Sequence, residues 1–356
     1  MSQSLQALHP STTEYIDVNG SQVPWTFSTY DEEYNALRTF AGLFDHSPLG
    51  LLKVTGDVIP FLQRVLARDV EFMTPDNSLM SLILDDAGNP VDLVTIYMLD
   101  EYALVETGCG AVEATRQHLL AHAGTDVEIE LLTGEWSVIG IEGPYSWGVV
   151  GEVIDRAITA LPYEAVTAVQ WQGEEIIFAR SGFTGEYGYK VVGPLGVLGK
   201  LWEALSAHAQ PVGYGVLETA MLEVRQPVLR IECERGRGVI TAGMNWLIDT
   251  TKEEFVGREA VLEHFADPST QRTIGLVSNG PIAEGAAVLA GDERIGEIAV
   301  AVRSPATDSW LALATVPPEL ASAGLELVAS DGSSTTELRT LAAPYIVPAS
   351  WTTPML

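Results

Sequence analysis

Between Arg180 and Lys190 the chain reads Arg-Ser-Gly-Phe-Thr-Gly-Glu-Tyr-Gly-Tyr-Lys, three glycines within seven residues, interleaved with aromatics. Upstream, Glu175-Ile-Ile-Phe-Ala reads as a buried strand. Downstream, Leu195, Leu198, Leu201, Trp202 and Leu205 recur at helical spacing on one face. The segment therefore joins two core elements and must be a shaped loop. Glycine tolerates positive φ and close backbone approach, so Gly182, Gly185 and Gly188 allow two outcomes. One is a tight hairpin with packed aromatics. The other is a chain that doubles back beside a ligand, with Phe183 and Tyr189 carried to where they stack on a flat ring.

On either side the pattern alternates strands and helices. Strands are predicted at 51–54, 79–84, 93–99 and 103–106, and helices at 32–40, 58–66 and 111–122. A second, similar rhythm begins near Glu128, with strands at 137–141 and 176–179 and helices at 145–153 and 195–207. After Glu263 short strand-like runs at 273–277, 287–289, 297–302 and 310–314 are punctuated by Gly, Pro, Asn and Asp. That texture suggests a small β-barrel. Periodicity alone thus gives an α+β chain with a β-rich tail.

Composition removes several classes of function. Forty-eight acidic residues face 19 basic ones, a formal net charge of −29, and such a field repels phosphate backbones, so nucleic acid is not an expected partner. The two cysteines, Cys109 and Cys233, show neither pairing nor metal-ligand spacing, which points to a reducing compartment. No run is long enough to span a bilayer, and the first residues lack the charged start and apolar core of a signal peptide. The expectation is a cytoplasmic protein acting on a small molecule, with no membrane partner and no metal.

Read more widely, the glycine loop resembles the Gly-Tyr-Thr-Gly-Glu-x-Gly-x-Glu signature of the aminomethyltransferase family, the T-protein of glycine cleavage and its folate-binding relatives; Phe183 stands at the tyrosine. Other segments are similar in the same order: Glu33-Tyr-Asn-Ala-Leu-Arg38, Ala41-Gly-Leu-Phe-Asp-His-Ser47, Val54-Thr-Gly56, Arg68-Asp-Val70, Ile141-Glu-Gly-Pro144, Glu254-Phe-Val-Gly-Arg-Glu-Ala260 and Ser304-Pro305. The likeness covers nearly the whole chain. It implies a three-domain cloverleaf: two related α+β domains around a central channel, and a C-terminal β-barrel. The corresponding domains are 51–127, then 1–50 with 128–263, then 264–356. Tetrahydrofolate is the implied cofactor.

The resemblance also singles out Asp92, in Gly88-Asn-Pro-Val-Asp-Leu-Val-Thr-Ile-Tyr97, as similar to the second aspartate of the family's Gly-Gly-x-x-Asp-Asp-Leu. From the residues themselves, this carboxylate between a turn and a strongly β-branched run opens a buried strand, where its ionisation is not free. It either caps backbone N–H groups or, as the family implies, faces the reactive nitrogens of the folate and stabilises positive charge as one carbon moves between them. The chain departs from the pattern elsewhere. The acid that meets the pteridine ring reads Lys190, a donor in place of an acceptor. On the folate hypothesis Lys190→Glu is expected to restore that contact. The two arginines of the family's Gly-Ala-Arg-Asp-x-Leu-Arg segment read Leu217 and Met221; the family's strand tyrosine reads Met80, and its strand-end asparagine reads Thr107.

The implied binding residues are therefore Met80, Asp92, Thr107, Phe183, Tyr189, Lys190 and Met221. Glu142 or Glu186 is a candidate for taking over pterin recognition, Trp246 for lining an aromatic channel, and Tyr97 and Glu106 for lining the same cavity. Asp92 and Lys190 are the catalytic candidates. A polyglutamylated tail needs a basic mouth, for which Arg225, Arg230, Arg235 and Arg237 are available. His46 beside Asp45, and His118 with His122 at helical spacing, read more simply as structural. Three functions follow: a folate-dependent one-carbon transferase working on a small amine or methyl ether; an enzyme of this fold that has abandoned folate, with Lys190 in new acid/base chemistry beside Glu142 or Glu218; and a non-enzymatic relative. The last has a Lys-Gly-Cys-Tyr-x-Gly-Gln-Glu segment whose cysteine is missing from Lys252-Glu-Glu-Phe-Val-Gly-Arg-Glu259, which sets it behind the others.

Overall fold

The computed structural model describes residues 5–233 and 236–355. Its α+β architecture rests on two facing sheets and a barrel. The first sheet is antiparallel, with strand order Asn77–Leu84, Pro90–Met98, Tyr102–Cys109, Leu49–Gly56, Val127–Leu131. Its strands alternate, so one set of side chains packs under the helices Val58–Val65 and Val112–His122, where Val54, Phe61, Leu62, Ile96, Val105 and Leu119 form a core. The second sheet runs Val166–Trp171, Glu174–Ala179, Gly188–Pro194, Trp136–Glu142, Gly42–Asp45, Gln210–Pro211. Its outer face packs on the helix Leu195–Ser206 through Phe178, Tyr189, Val191, Leu201 and Trp202.

The remaining faces of the two sheets meet. Leu51, Tyr97 and Leu104 of the first interdigitate with Val138, Ile177 and Val192 of the second. The helix Tyr214–Val224 is buried almost all round, through Tyr214, Val216, Leu217, Ala220 and Met221, so its sequence carries no 3.6-residue period. Its far end docks the closed six-stranded barrel (residues 272–341): Leu222 packs on Val300, Leu311 and Leu313. No helix among the described residues is long and apolar enough to cross a membrane.

Two local expectations change. The predicted helix 145–153 is an α-turn at Ser146–Val150 that widens into a π-turn at Gly151–Asp155. The glycine loop is also shorter than its composition suggests, because Gly188–Pro194 is a strand inside the second sheet, with Lys190 paired to Gly140 on one side and to Ala179 on the other. Strand alternation then sends Tyr189 to the outer core and Lys190 toward the first sheet.

Candidate functional site

A cavity of about 360 Å³ opens where the first sheet, the glycine loop, the helix Tyr214–Val224 and the segment Gln226–Arg230 converge. That volume falls in the range of small-molecule sites. Met80, Asp92, Glu106 and Thr107 line it from the sheet, Phe183 from the loop, and Met221 from the helix.

Asp92 is 2% exposed. Its carboxylate accepts from Leu93 N (2.8 Å), Gly108 N (3.1 and 3.2 Å) and the Thr115 hydroxyl (2.6 Å). Burial pushes its carboxyl up from the ordinary value to about 6, the three donors pulling the other way. Gly108 keeps this side chain in place, since a Cβ there would lie 2.8 Å from Asp92 Oδ1.

Phe183 is held from behind. Its backbone N–H donates to both oxygens of Glu142 (3.0 Å each), which also accepts from Thr184 N (2.9 Å) and the Thr184 hydroxyl (2.7 Å). Glu142 is thus the loop's anchor and lies outside the cavity wall. A Cβ at Gly182 would sit 2.7 Å from Glu142 Oε2, so this turn requires glycine. Glu186 ties the same loop to Arg38 (3.0 Å) and to Ser350 N (2.9 Å). On its other side the Phe183 ring lies 3.8 Å from Lys190 Nζ and meets His46 edge-on at 5.8 Å. Burial, then the Lys190 charge, push His46 well below its ordinary value; its Nδ1 is hydrogen-bonded to the Tyr214 hydroxyl at 2.9 Å, and Asp45 pairs instead with His9 at 3.2 Å.

Lys190 is fully buried and absent from the cavity wall. Its ammonium donates to Glu106 Oε1, while Glu106 Oε2 accepts from the Tyr97 hydroxyl at 2.7 Å. Glu106, 3% exposed, is the acid this cluster turns to the cavity. The sequence expectations did not pair these residues; a lone acid in Tyr102-Ala-Leu-Val-Glu-Thr107 and a lone cation in Tyr189-Lys-Val-Val192, both apolar runs, are the local signals that could have done so.

The other predicted residues separate. Met80 Sδ accepts from Gln226 Nε2 (3.2 Å) on the wall, and Thr107 and Met221 line it too. Tyr189 is buried in the core of the second sheet, donating to Thr159 O (2.8 Å), because the strand, not a loop, carries it. Trp246 is 53% exposed and off the cavity. Of the arginines, Arg230 alone reaches the wall among the described residues, ion-paired to Glu218; Arg225 pairs with Glu232 (2.8 Å), and Arg237 donates to backbone carbonyls. Arg235 lies outside the described residues. Tyr214, Gln226 and Cys109 also line the cavity, unmarked by any local motif. The rings of His118 and His122 are 4.5 Å apart, and no group of three His, Cys, Asp or Glu side chains suited to a metal comes together among the described residues.

Residues 5–252 match the GCVT N-terminal domain family, and residues 271–345 the glycine cleavage T-protein C-terminal barrel domain. The chain belongs to the aminomethyltransferase family. An aminomethyltransferase of Geobacillus thermodenitrificans is 30% identical over 324 residues, 88% of each chain. One from Bacillus pumilus is 28% identical over 322 residues, 87% of this chain and 88% of the relative. The crystal structure of glycine cleavage system aminomethyltransferase T from Bartonella henselae superposes with a TM-score of 0.86 over 94% of each chain, at 23% identity, which shows the fold. Aminomethyltransferases are enzymes that move one-carbon groups and use tetrahydrofolate as cosubstrate.

Proposed function

We propose that this aminomethyltransferase-family chain binds tetrahydrofolate in the 360 Å³ cavity and transfers a one-carbon group to or from a small amine or methyl ether. The observation that carries the reading is Asp92: a buried carboxylate on the wall of an otherwise largely apolar cavity, in the same lining as Phe183.

The residues present fit the pterin half of such a ligand. Phe183 offers a ring clamped by Lys190, Met80 and Met221 offer apolar, adaptable surface, and Asp92 and Glu106 offer acceptors for N–H groups. A negatively charged tail is met by Arg230 alone on the described wall. When bound, the folate supplies nitrogens that carry one carbon. Asp92 holds an amine proton or faces positive charge there; Thr115, Gly108 and Leu93 fix its orientation beforehand, so no reorganisation is needed as charge develops. Its elevated protonation midpoint also suits it to proton exchange close to neutrality.

Equilibrium binding of tetrahydrofolate to the whole chain at neutral pH tests the reading. Micromolar association supports it, and no association at high micromolar folate sinks it. Asp92→Asn should retain binding and lose turnover.

A further inference from the structure

We propose that Glu106 is the acid that recognises the N–H edge of the bound heterocycle, with Lys190 as its positioning residue. The inference rests on the folate reading and corrects where within this chain the recognising acid is sought.

By the resemblance, the family's pterin-facing acid falls at residue 190, where this chain carries a cation. An ammonium accepts no hydrogen bond, and beside an N–H-rich edge it repels. Yet Lys190 does not face the cavity: it is fully buried and donates across the sheet-to-sheet junction to Glu106 Oε1. Glu106 is the part of this pair on the wall. On this assignment the accepting acid stands on the strand Tyr102–Cys109, and the lysine of the strand Gly188–Pro194 holds it there.

Among the described residues three acids line the cavity: Asp92, Glu106 and Glu218. Asp92 already takes hydrogen bonds from three groups, and Glu218 is ion-paired to Arg230. Glu106 receives two, one on each oxygen, from Lys190 and Tyr97. A carboxylate offers about four lone-pair positions, so Glu106 retains one on each oxygen. That is the acceptor pattern matching two adjacent N–H donors of a 2-amino-4-oxopyrimidine ring. Lys190 does a second thing: its Nζ lies 3.8 Å from the Phe183 ring centroid, so one side chain sets both the acidic edge and the aromatic face of the subsite.

The test compares tetrahydrofolate with its 2-desamino analogue, by calorimetry, on the wild-type chain and on Glu106→Leu/Lys190→Met, which removes both members of the pair and leaves no buried charge behind. The wild-type chain should bind the desamino analogue at least about tenfold more weakly, and the double variant should bind the two ligands within about twofold of each other. A folded double variant that discriminates as the wild type does overturns the assignment and leaves the folate reading intact. Wild-type binding that ignores the 2-amino group overturns it as well, and needs no variant to fold. A wild-type chain that takes up neither ligand overturns both.

Discussion

The Thr115 hydroxyl donates to the Asp92 carboxylate at 2.6 Å, joining the helix Val112–His122 to the strand Pro90–Met98 inside the core. This bond favours the ionised form that burial opposes, and the balance leaves the carboxyl at about 6 against an ordinary 3.8. The native state therefore holds this proton more tightly than the unfolded chain does. The resulting stabilisation is fully present below about pH 4 and is lost as pH rises through about 6, a change of about 3 kcal/mol. If turnover needs the carboxylate, kcat/KM rises with pH, with its midpoint near 6, and levels off above about 7. Asp92→Asn should remove that limb and lower kcat by about 100-fold or more. A pH–rate profile of the two proteins decides it: turnover of Asp92→Asn close to wild type sinks the catalytic role.

Thr115→Val keeps the shape and removes the donor. With one hydrogen bond to the charged form gone, the carboxyl shifts further upward, and the acidic limb should move to higher pH by about half a unit to one unit. Lost stability should be about 1–2 kcal/mol, measurable by urea unfolding. An unmoved limb means that the limb belongs to another group.

Gly108→Ala probes the same carboxylate sterically. A Cβ there stands 2.8 Å from Asp92 Oδ1, and the next group, Ala111 Cβ, is a comfortable 3.9 Å away, so the carboxylate must shift. The expected result is a kcat reduced about tenfold or more with a modest loss of thermal stability. Unchanged kcat would show that the position of Asp92 is not critical.

Much of this was legible locally, and the remainder was not for identifiable reasons. Asp92 stood out because a carboxylate opening a β-branched run must find partners, and it does. Lys190 stood out only as a departure from the family signature and Glu106 only as a candidate for the cavity lining; they are 84 residues apart, and only the packing of one sheet on the other brings them together. Tyr189 misled because Gly188 is glycine yet begins a strand, and alternation then fixes the tyrosine on the core side. Glu142 gave no hint that its four contacts all come from Phe183 and Thr184, since the loop's path decides that. The α+β plan with a β-rich tail was readable from periodicity, and the three-part arrangement only from the family resemblance; the helix Tyr214–Val224 was not, being buried on nearly every side.

Lys190→Glu, expected from the sequence to restore a pterin contact, should do the reverse. The new carboxylate would stand beside Glu106 in a fully buried site, exchanging an ion pair for two like charges. Loss of one partner of a buried pair costs about 3–5 kcal/mol, and repulsion adds to it. Thermal unfolding should fall steeply, and tetrahydrofolate binding should weaken because both Glu106 and Phe183 lose their support. Wild-type stability with tighter folate binding would show that residue 190 reaches the ligand directly.

The loop that carries Phe183 is coupled to the barrel through Glu223. This fully buried acid accepts from the Tyr34 hydroxyl (2.6 Å), Arg38 Nη2 (2.7 Å) and the Ser304 hydroxyl (2.5 Å). Arg38 in turn donates to Thr184 O (2.8 Å) and Glu186 (3.0 Å) in the glycine loop. Glu223→Ala leaves a buried guanidinium with one carboxylate in place of two and a buried phenol without its acceptor, so a loss of about 3–5 kcal/mol is expected, with weaker ligand binding because the loop loses its tether. Ser304→Ala removes a single donor from the barrel side and should cost about 1 kcal/mol, leaving the Arg38 link and ligand binding intact. Urea unfolding and folate calorimetry on the two variants separate the roles. Equal effects on binding would mean that the barrel contact, rather than the Arg38 link, holds the loop.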